Sequence, residues 1–324
     1  MKTEIVDASP AGIERAASLL DSGELVALPT ETVYGLAADA LDSNAVARIF
    51  AAKERPSFDP LILHLPGLDW LDRLTTASGD PLVQALAAAF WPGPLTLVLP
   101  RRPVIPDIVA SGLPTVALRM SAHPVFRAVL DRHARPVAAP SANRFGRISP
   151  TTAAHVLEEL DGRIPLILDG GPCAIGLEST VIAVHDGTLE LLRAGPISTD
   201  AFAAHAPVFC TMAGAAIKAP GQLASHYAPR TPLQLLTHVA QADSWPAPPN
   251  TGLLAWSRSA RPRQFSAMEI LTPRNDPAEA AARLFAAMRR LDALGLDLIV
   301  AEPPPPSGLG AAILDRLKKA SAPR

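Results

Sequence analysis

The sequence predicts an α/β protein with two domains. Its 324 residues are enough to bury two hydrophobic cores. Short apolar runs alternate with helix-like stretches through residues 1–208, the pattern breaks within the segment 209–232, and the alternation then resumes. We therefore expect one domain at 1–208, a linker at 209–232 and a smaller domain at 233–324.

Apolar runs of four to six residues predict the strands of the first domain. They span 24–29, 95–100, 115–120, 136–140, 165–168, 179–184 and 189–193. Helices are expected at 11–22, 44–53, 81–90, 124–132, 152–160 and 199–205. Asp42, Ser43 and Asn44 offer N-caps for the second helix, and residues 149–152 offer them for the fifth. One twisted sheet packed with helices accounts for this order.

The second domain repeats the alternation on a smaller scale. Strands are expected at 233–236, 252–256 and 297–301, and helices at 277–294 and 308–320. This pattern favours a Rossmann-like α/β domain. The linker is unusual, because tethers are usually rich in Gly and Ser. Several of its residues are polar groups that could bind a ligand: Gln222, Ser225, His226, Tyr227 and Arg230.

Composition excludes several classes of protein. Hydrophobic residues make up 48% and charged residues 19%, as in globular proteins, and no apolar run approaches the roughly 20 residues of a membrane span. Residues 1–7 carry acids and lack the apolar core of a signal peptide, so we expect a cytoplasmic protein with no membrane partner. Cys173 and Cys210 are too few for a disulfide framework or a Cys-based zinc site. We expect both to be buried and predict no metal ligands.

Lys53 stands alone between Lys2 and Lys218 in a chain with 29 basic residues. An ammonium is a compact point charge that fits between the crowded oxygens of a triphosphate, whereas a guanidinium is a flat fork. The isolated lysine is therefore a candidate for a phosphate contact. The alternative is a lysine that closes the last turn of a helix before Pro56.

The stretch from Arg101 to Arg147 is distinctly basic. It contains eight arginines and two acids, a surplus of six positive charges, although the whole chain has a net charge of −2. An anionic small molecule or an RNA would each be consistent with it. RNA sites usually interleave aromatic residues for base stacking, and this stretch has only Phe126 and Phe145.

The usual nucleotide-binding motifs are missing, since no GxxxxGK[ST] occurs. Polar residues instead collect in three segments within apolar surroundings, at 29–36, 140–143 and 176–181, and we expect Gly35 in the first to start a helix. Ligand sites of α/β sheets gather at strand ends. Each segment alone could be turn chemistry, in which Ser or Asn bonds its own backbone. Together with Lys53 and Arg55 they indicate a binding site.

These segments resemble the threonylcarbamoyl-AMP synthases, a family with a YrdC-like domain, in its longer two-domain form. The resemblance spans nearly the whole chain in the right order. The matching segments are 29–36, 53–56, 60–64, 91–96, 118–120, 140–143, 179–181, 193–195, 220–221, 225–229, 308–310 and 316–317.

The resemblance implies an enzyme that joins L-threonine, bicarbonate and ATP into threonylcarbamoyl-adenylate with release of pyrophosphate. Mg²⁺ would accompany the ATP. The product would pass to tRNA-modifying transferase proteins, which place the threonylcarbamoyl group on adenosine 37 of certain tRNAs. The alternatives are another YrdC-like activity that forms carbamoyl-adenylate, which normally sits in a much larger chain, and an RNA-binding module.

The resemblance also implies roles for residues. Lys53 and Arg55 would be catalytic. ATP would contact Arg55, Asp59, Thr115, Ser141, Asn143, Ser149, Arg193 and Tyr227, the last from a linker that closes as a lid. Threonine would contact Thr32, His64, Arg119, Ala139 and Ser179. Asp59 departs from the Asn that the family often has, and an acid there would repel phosphate unless it touches Mg²⁺.

Overall fold

The computed structural model describes residues 2–211, 218–258 and 262–323. The chain divides into two compact units. The first contains Met1–Phe145, Pro150–Cys173 and Glu178–Gln222, and the second contains Gly146–Ser149, Ala174–Leu177 and Leu223–Arg324. Both are α/β units, as predicted, whereas the expected limits of the domains and linker remain predictions. Among the helices of the described ranges, none combines the length and apolarity that a bilayer crossing requires.

The first unit is built on one mixed sheet with the strand order β1-β8-β2-β3-β7-β4-β6-β5-β9-β10-β11. These strands are β1 Glu4–Asp7, β2 Val26–Leu28, β3 Gly35–Asp39, β4 Ile62–His64, β5 Leu95–Pro100, β6 Thr115–Arg119, β7 Val137–Ala138, β8 Leu166–Asp169, β9 Thr180–His185, β10 Thr188–Arg193 and β11 Val208–Cys210. All seven predicted strands are present, with shifts of up to two residues at their ends.

Helices pack against this sheet. They are α1 Pro10–Asp21, α2 Ser43–Lys53, α3 Leu71–Leu74, α4 Pro81–Phe90, α5 Asp107–Ala110, α6 Pro124–His133, α7 Ala153–Leu160 and α8 Thr199–Ala203, with a 3-10 turn at Leu68–Trp70. The expected caps are present. Asp42 accepts a hydrogen bond from the Asn44 amide at the start of α2, and Thr152 accepts one from the His155 amide in α7.

The second unit has a four-stranded parallel sheet in the order β12-β15-β13-β14. Its elements are β12 Leu233–Leu235, α9 Gln241–Ser244, β13 Thr251–Ala255, β14 Ala267–Ile270, α10 Pro277–Asp292, β15 Leu298–Ala301 and α11 Leu309–Ala320. The sequence reading missed β14, whose residues are all partly exposed and show no clean alternation.

Opposite faces of the central strands of the first unit carry different side chains. β4 and β6 run parallel and place His64 beside Arg119. Because side chains alternate along a strand, Thr115 and Arg119 share one face of β6, whereas Leu118 points to the other. The main core lies on the Leu118 face and includes Leu36, Leu63, Leu97 and Ile182. The Arg119 face carries a smaller buried cluster of Ile62, Val98, Ala117, Val181, Ala183, Leu192 and Ala219, which we call the floor.

Two predictions from the sequence are wrong. Gly35 begins strand β3 rather than a helix, and β3 pairs antiparallel with β2 and β7. All five residues of β3 are buried, so the polar alternation that marks a strand is missing. Cys173 is buried as expected, but Cys210 is exposed because it ends β11 at the edge of the sheet.

Candidate active site

The strand pair β4–β6 carries predicted site residues at both of its ends. Arg55 and Asp59 precede β4, and Thr115 begins β6. His64 and Arg119 end the same two strands. A strand rises by about 3.3 Å per residue, so the two ends of β6 lie roughly 13 Å apart. Two groups of polar residues can therefore border one floor without touching each other.

Lys53 is the last residue of α2, yet its side chain turns inward and is only 1% exposed. Its ammonium donates hydrogen bonds of 2.5 Å to the backbone carbonyls of Ser141 and Asn143. Burial, reinforced by the charge of Arg55, lowers the pKa of Lys53 well below its ordinary value. The reading of Lys53 as a lysine that merely closes a helix does not explain a buried ammonium held by a distant loop.

Arg55 and Asp59 form a buried ion pair beside Lys53. The Arg55 Nη2 lies 2.9 Å from the Asp59 Oδ2, and both side chains are at least 96% buried. Arg55 also donates to the backbone carbonyls of Asp59 and Pro60. Burial raises the pKa of Asp59, and the charges of Arg55 and Lys53 oppose that rise. The acid therefore offsets part of the positive charge that this group offers to an anion.

The loop after β7 completes the group around Lys53. The Ala142 amide donates to the Tyr34 carbonyl, and the Phe145 amide donates to the Lys53 carbonyl. Asn143 is buried, and its Nδ2 donates to the Arg144 carbonyl at 2.7 Å. We call Lys53, Arg55, Asp59, Ser141 and Asn143 the Lys53 cluster. Its carbonyls and acid hold two cations in fixed positions.

A second group surrounds Arg119. The Arg119 Nη2 donates to the Glu31 Oε1 at 2.7 Å, and the Ser121 hydroxyl donates to the Glu31 Oε2 at 2.5 Å. Burial raises the pKa of Glu31, but the charge of Arg119 and these hydrogen bonds outweigh it and lower the pKa to about 2. Glu31 is thus ionised at every physiological pH. We call Glu31, His64, Arg119 and Ser121 the Arg119 cluster.

His64 contributes a neutral ring to the Arg119 cluster. The ring is 2% exposed and packs on Phe126 with a centroid distance of 4.8 Å. Burial, followed by the charge of Arg119, lowers the pKa of His64 to about 3. The imidazole therefore carries no charge near neutral pH and can both donate and accept a hydrogen bond.

Polar side chains form a hydrogen-bonded series from Thr96, the neighbour of Arg119 in the sheet, to Arg193. Thr96 on β5 lies directly beside Arg119 in the sheet, and its hydroxyl lies 2.7 Å from the Ser179 hydroxyl. Arg193 donates from Nη2 to the same Ser179 hydroxyl at 3.0 Å and from Nε to the Ser179 carbonyl at 3.1 Å. The charge of Arg193, with those of Arg55 and Lys53, opposes the rise that burial causes in the pKa of Asp59. We call Thr96, Ser179 and Arg193, together with the two clusters, the rim of the floor.

The remaining predicted residues lie in different places. Thr32 is fully buried, and its hydroxyl lies 2.8 Å from that of Thr30, which follows β2. Ala139 follows β7, and its amide donates to the Ile62 carbonyl. Ser149 and Tyr227 belong to the second unit, where Tyr227 is 1% exposed and stacks on Phe285 at 5.8 Å.

The arginine-rich stretch 101–147 is largely neutralised by acids. Six of its eight arginines form ion pairs with carboxylates. The pairs are Arg101–Asp107, Arg119–Glu31, Arg127–Asp131, Arg132–Glu14, Arg135–Asp39 and Arg144–Glu54. Because four of these acids lie outside the stretch, they offset four of its six surplus positive charges.

Sequence reasoning missed three residues of this rim, namely Glu31, Thr96 and Ser121. Glu31 lies between two threonines in the polar segment 29–36, which signals a site but not a partner. Its arginine is 88 residues away along the chain. Only the folded sheet brings the two charges together.

The chain matches two family models. Residues 18–195 match the Sua5–YciO–YrdC model, described as "Telomere recombination", and residues 188–322 match "Threonylcarbamoyl-AMP synthase, C-terminal domain". A threonylcarbamoyl-AMP synthase of Pyrococcus abyssi is 39% identical over 95% of this chain and 94% of its own length. One of Bacillus subtilis is 39% identical over 96% and 93%. The chain belongs to the threonylcarbamoyl-AMP synthase family.

Solved structures agree with this membership. The crystal structure of P. abyssi Sua5 complexed with L-threonine has a TM-score of 0.88 and 38% identity, with 98% of each chain covered. Escherichia coli YciO, at 21% identity and a TM-score of 0.52, shows the fold alone. A shorter family member from Vibrio vulnificus matches over 98% of its own length but only 56% of this chain.

Proposed function

We propose that this protein joins L-threonine, bicarbonate and ATP into threonylcarbamoyl-adenylate and pyrophosphate. The observation that carries the proposal is the match to threonylcarbamoyl-AMP synthases over about the whole length of both chains. Both clusters lie in the first unit, and a protein of the same name matches only 56% of this chain, which supports an activity that does not require the whole chain.

We assign the triphosphate to the Lys53 cluster. Threonine's amine takes up bicarbonate with loss of water to give a carbamate, and a carbamate oxygen then attacks the α-phosphorus while pyrophosphate leaves. Both reactants of this step are anions, so their repulsion must be offset. Lys53 and Arg55 are fixed cations in a water-poor site, where a preorganised charge stabilises a transition state more than it does in water. No side-chain nucleophile is required.

We assign threonine to the Arg119 cluster and the rim beside it. Arg119 is the cation suited to pair with the substrate carboxylate, because a guanidinium matches the two carboxylate oxygens. The neutral ring of His64 suits the amine and the hydroxyl of threonine. An imidazolium would repel an ammonium, whereas the neutral ring can accept a hydrogen bond from the amine or the hydroxyl.

We place Mg²⁺ with the nucleotide, as part of the substrate. The described residues contain no group of three or more His, Cys, Asp or Glu that could hold a metal ion. Magnesium in nucleotide sites is held mainly by phosphate oxygens and water, with one or two carboxylates at most. Asp59 is the carboxylate of the Lys53 cluster, and its pairing with Arg55 fits a charge balance rather than a metal cage.

We further propose that the product supplies tRNA-modifying transferase proteins that form threonylcarbamoyladenosine at position 37. A mixed anhydride of a carbamate and a phosphate is an activated acyl group, so the enzyme that consumes it must be an acyl transferase. This part of the proposal rests on family membership.

The test is incubation of the purified protein with ATP, Mg²⁺, bicarbonate and L-threonine, with mass spectrometry of the nucleotide products. We expect threonylcarbamoyl-adenylate and pyrophosphate in equal amounts, and neither when threonine or bicarbonate is omitted. A folded protein that hydrolyses ATP without threonine, or forms no adenylate at all, would contradict the proposal.

A further inference from the structure

We propose that Glu31 is a positioning residue, which holds the Arg119 guanidinium in the orientation that binds the carboxylate of the amino-acid substrate. This inference rests on the proposed function. Glu31 accepts a hydrogen bond from the Arg119 Nη2 on one oxygen and from the Ser121 hydroxyl on the other. Both oxygens of the carboxylate are therefore fixed by neighbours.

The guanidinium of Arg119 is held on one edge only. Its Nε donates to the Gly93 carbonyl at 3.3 Å and its Nη2 donates to Glu31 at 2.7 Å. The Nη1 donates to no residue that the structure describes. A carboxylate that approaches the end of the guanidinium would meet the Nη1 group and the second proton of Nη2. Glu31 and Gly93 thus leave the end of the guanidinium available for the substrate.

Burial explains why this orientation needs support. The Arg119 side chain is 4% exposed and that of Glu31 is 13% exposed. An arginine without an acid partner in such surroundings would turn towards water or towards another acceptor, because an unpaired buried charge is costly. A guanidinium that binds a carboxylate through two parallel N–H groups must also lie in the plane of that carboxylate. Glu31 fixes this plane before the substrate arrives.

The opposite role for Glu31 is that of a competitor. Its carboxylate is chemically the same group as that of the substrate, so it could occupy the arginine and leave when threonine binds. The two roles predict opposite signs. Removal of a competitor lowers the KM for threonine, whereas removal of a positioning residue raises it.

The experiment compares steady-state kinetics of the wild type with Glu31→Gln, Glu31→Ala and Ser121→Ala, with threonine and ATP varied separately. Glu31→Gln keeps the shape of the side chain and an oxygen that can accept from Arg119. Ser121→Ala removes the support of Glu31 without touching the arginine. The control is Asp39→Asn, because Asp39 is also a buried acid paired with an arginine, at 2.8 Å from the Arg135 Nε. It lies on β3, three strands from the β6 strand of Arg119 in the sheet, which is roughly 14 Å at about 4.8 Å per strand.

We expect Glu31→Ala to raise the KM for threonine by about 10- to 100-fold, with the KM for ATP nearly unchanged. Glu31→Gln and Ser121→Ala should give smaller increases, and Asp39→Asn none. A fall in the KM for threonine, or equal changes in both KM values, would overturn the inference. The wild-type reaction separates the two proposals. If the wild type forms no product, the proposed function is wrong. If the wild type forms product and the variants have the same KM for threonine, only the role of Glu31 is wrong.

Discussion

Lys53 and Arg119 are both buried cations of the first unit, but their charges are compensated in different ways. Arg119 faces a full carboxylate, that of Glu31, at 2.7 Å. Lys53 is held by two backbone carbonyls, and the nearby Asp59 already pairs with Arg55. Partial charges on carbonyls offset an ammonium less completely than a carboxylate does. The Lys53 cluster therefore keeps a net positive charge, since its two cations face only one carboxylate.

This difference matches the ligands that we assign to the two clusters. A triphosphate carries several negative charges and suits the cluster with the larger deficit. Threonine has one carboxylate and one amine, and suits the cluster whose charges already balance.

The largest effect is expected for Lys53→Met. Loss of the ammonium should lower kcat by about 10²- to 10³-fold, as for loss of one preorganised group at a transition state. The melting temperature should change little, because relief of the buried charge offsets the loss of two hydrogen bonds. Enzyme assays with calorimetry measure both quantities. Lys218→Met is the control, since Lys218 pairs with Glu190 and its side chain is 40% exposed. Retained activity in Lys53→Met would show that the ammonium is only structural.

We expect the Arg119 cluster to make the free energy of unfolding depend on pH, mainly through His64. His64 has a pKa of about 3 in the folded protein and an ordinary value of 6.5. Between these values the unfolded chain binds a proton that the folded protein does not, so stability falls as pH falls. Glu31 adds to this fall only below 4.5, its ordinary pKa. From pH 6.5 to 4.5, His64→Gln should lose about 2 kcal/mol less stability than the wild type in urea titrations. Parallel pH curves would mean that the ring is accessible to protons.

A smaller effect is expected for Asp59→Asn. The change removes a negative charge beside Lys53 and Arg55 but keeps the two backbone carbonyls that hold Arg55. One charge near a partly screened site contributes about 1 kcal/mol, so the KM for ATP should fall about fivefold at constant Mg²⁺. Kinetics over a range of Mg²⁺ concentrations measure this. A rise in KM that excess Mg²⁺ reverses would instead assign the carboxylate to the metal.

The smallest effect is expected for Thr96→Val, which keeps the shape of the side chain and removes its hydroxyl. Loss of the hydrogen bond to Ser179 should lower the free energy of unfolding by about 1 kcal/mol. The KM for threonine should rise by less than about fivefold. Thr180→Val tests the specificity of that result, because the Thr180 hydroxyl bonds the Ile197 backbone instead. Equal rises in KM in both variants would show that the Thr96–Ser179 hydrogen bond has no particular role in threonine binding.

The sequence predicted most accurately those helices and strands that begin or end at a proline. Helix α4 begins at Pro81 and strand β5 ends at Pro100, and both were located to the residue. Strand β4 has only three residues and lies inside a motif, so no period could reveal it. Gly35 was misread because a strand buried on both faces has no alternation. Its backbone passes close to Ala139, where even a methyl group at position 35 would lie 3.2 Å from the Ala139 Cβ.

The candidate site was predictable in part for a related reason. Lys53 could be found because the chain is otherwise poor in lysine, and composition is visible without a fold. The partner of Arg119 could not be found. Glu31 is one of many acids in the sequence, and its pairing depends on a sheet register that joins distant segments.

The contacts of Lys53 also order events during synthesis of the chain. Its ammonium binds carbonyls that lie 88 and 90 residues further along. At roughly 5–20 residues per second, the ribosome adds those residues about 4–18 s after Lys53 itself. Until then the ammonium has no partner and must remain in water, because its burial would be too costly. The end of α2 can therefore dock only after the loop that follows β7 has left the ribosome, and a shorter nascent chain has no place to hold a triphosphate.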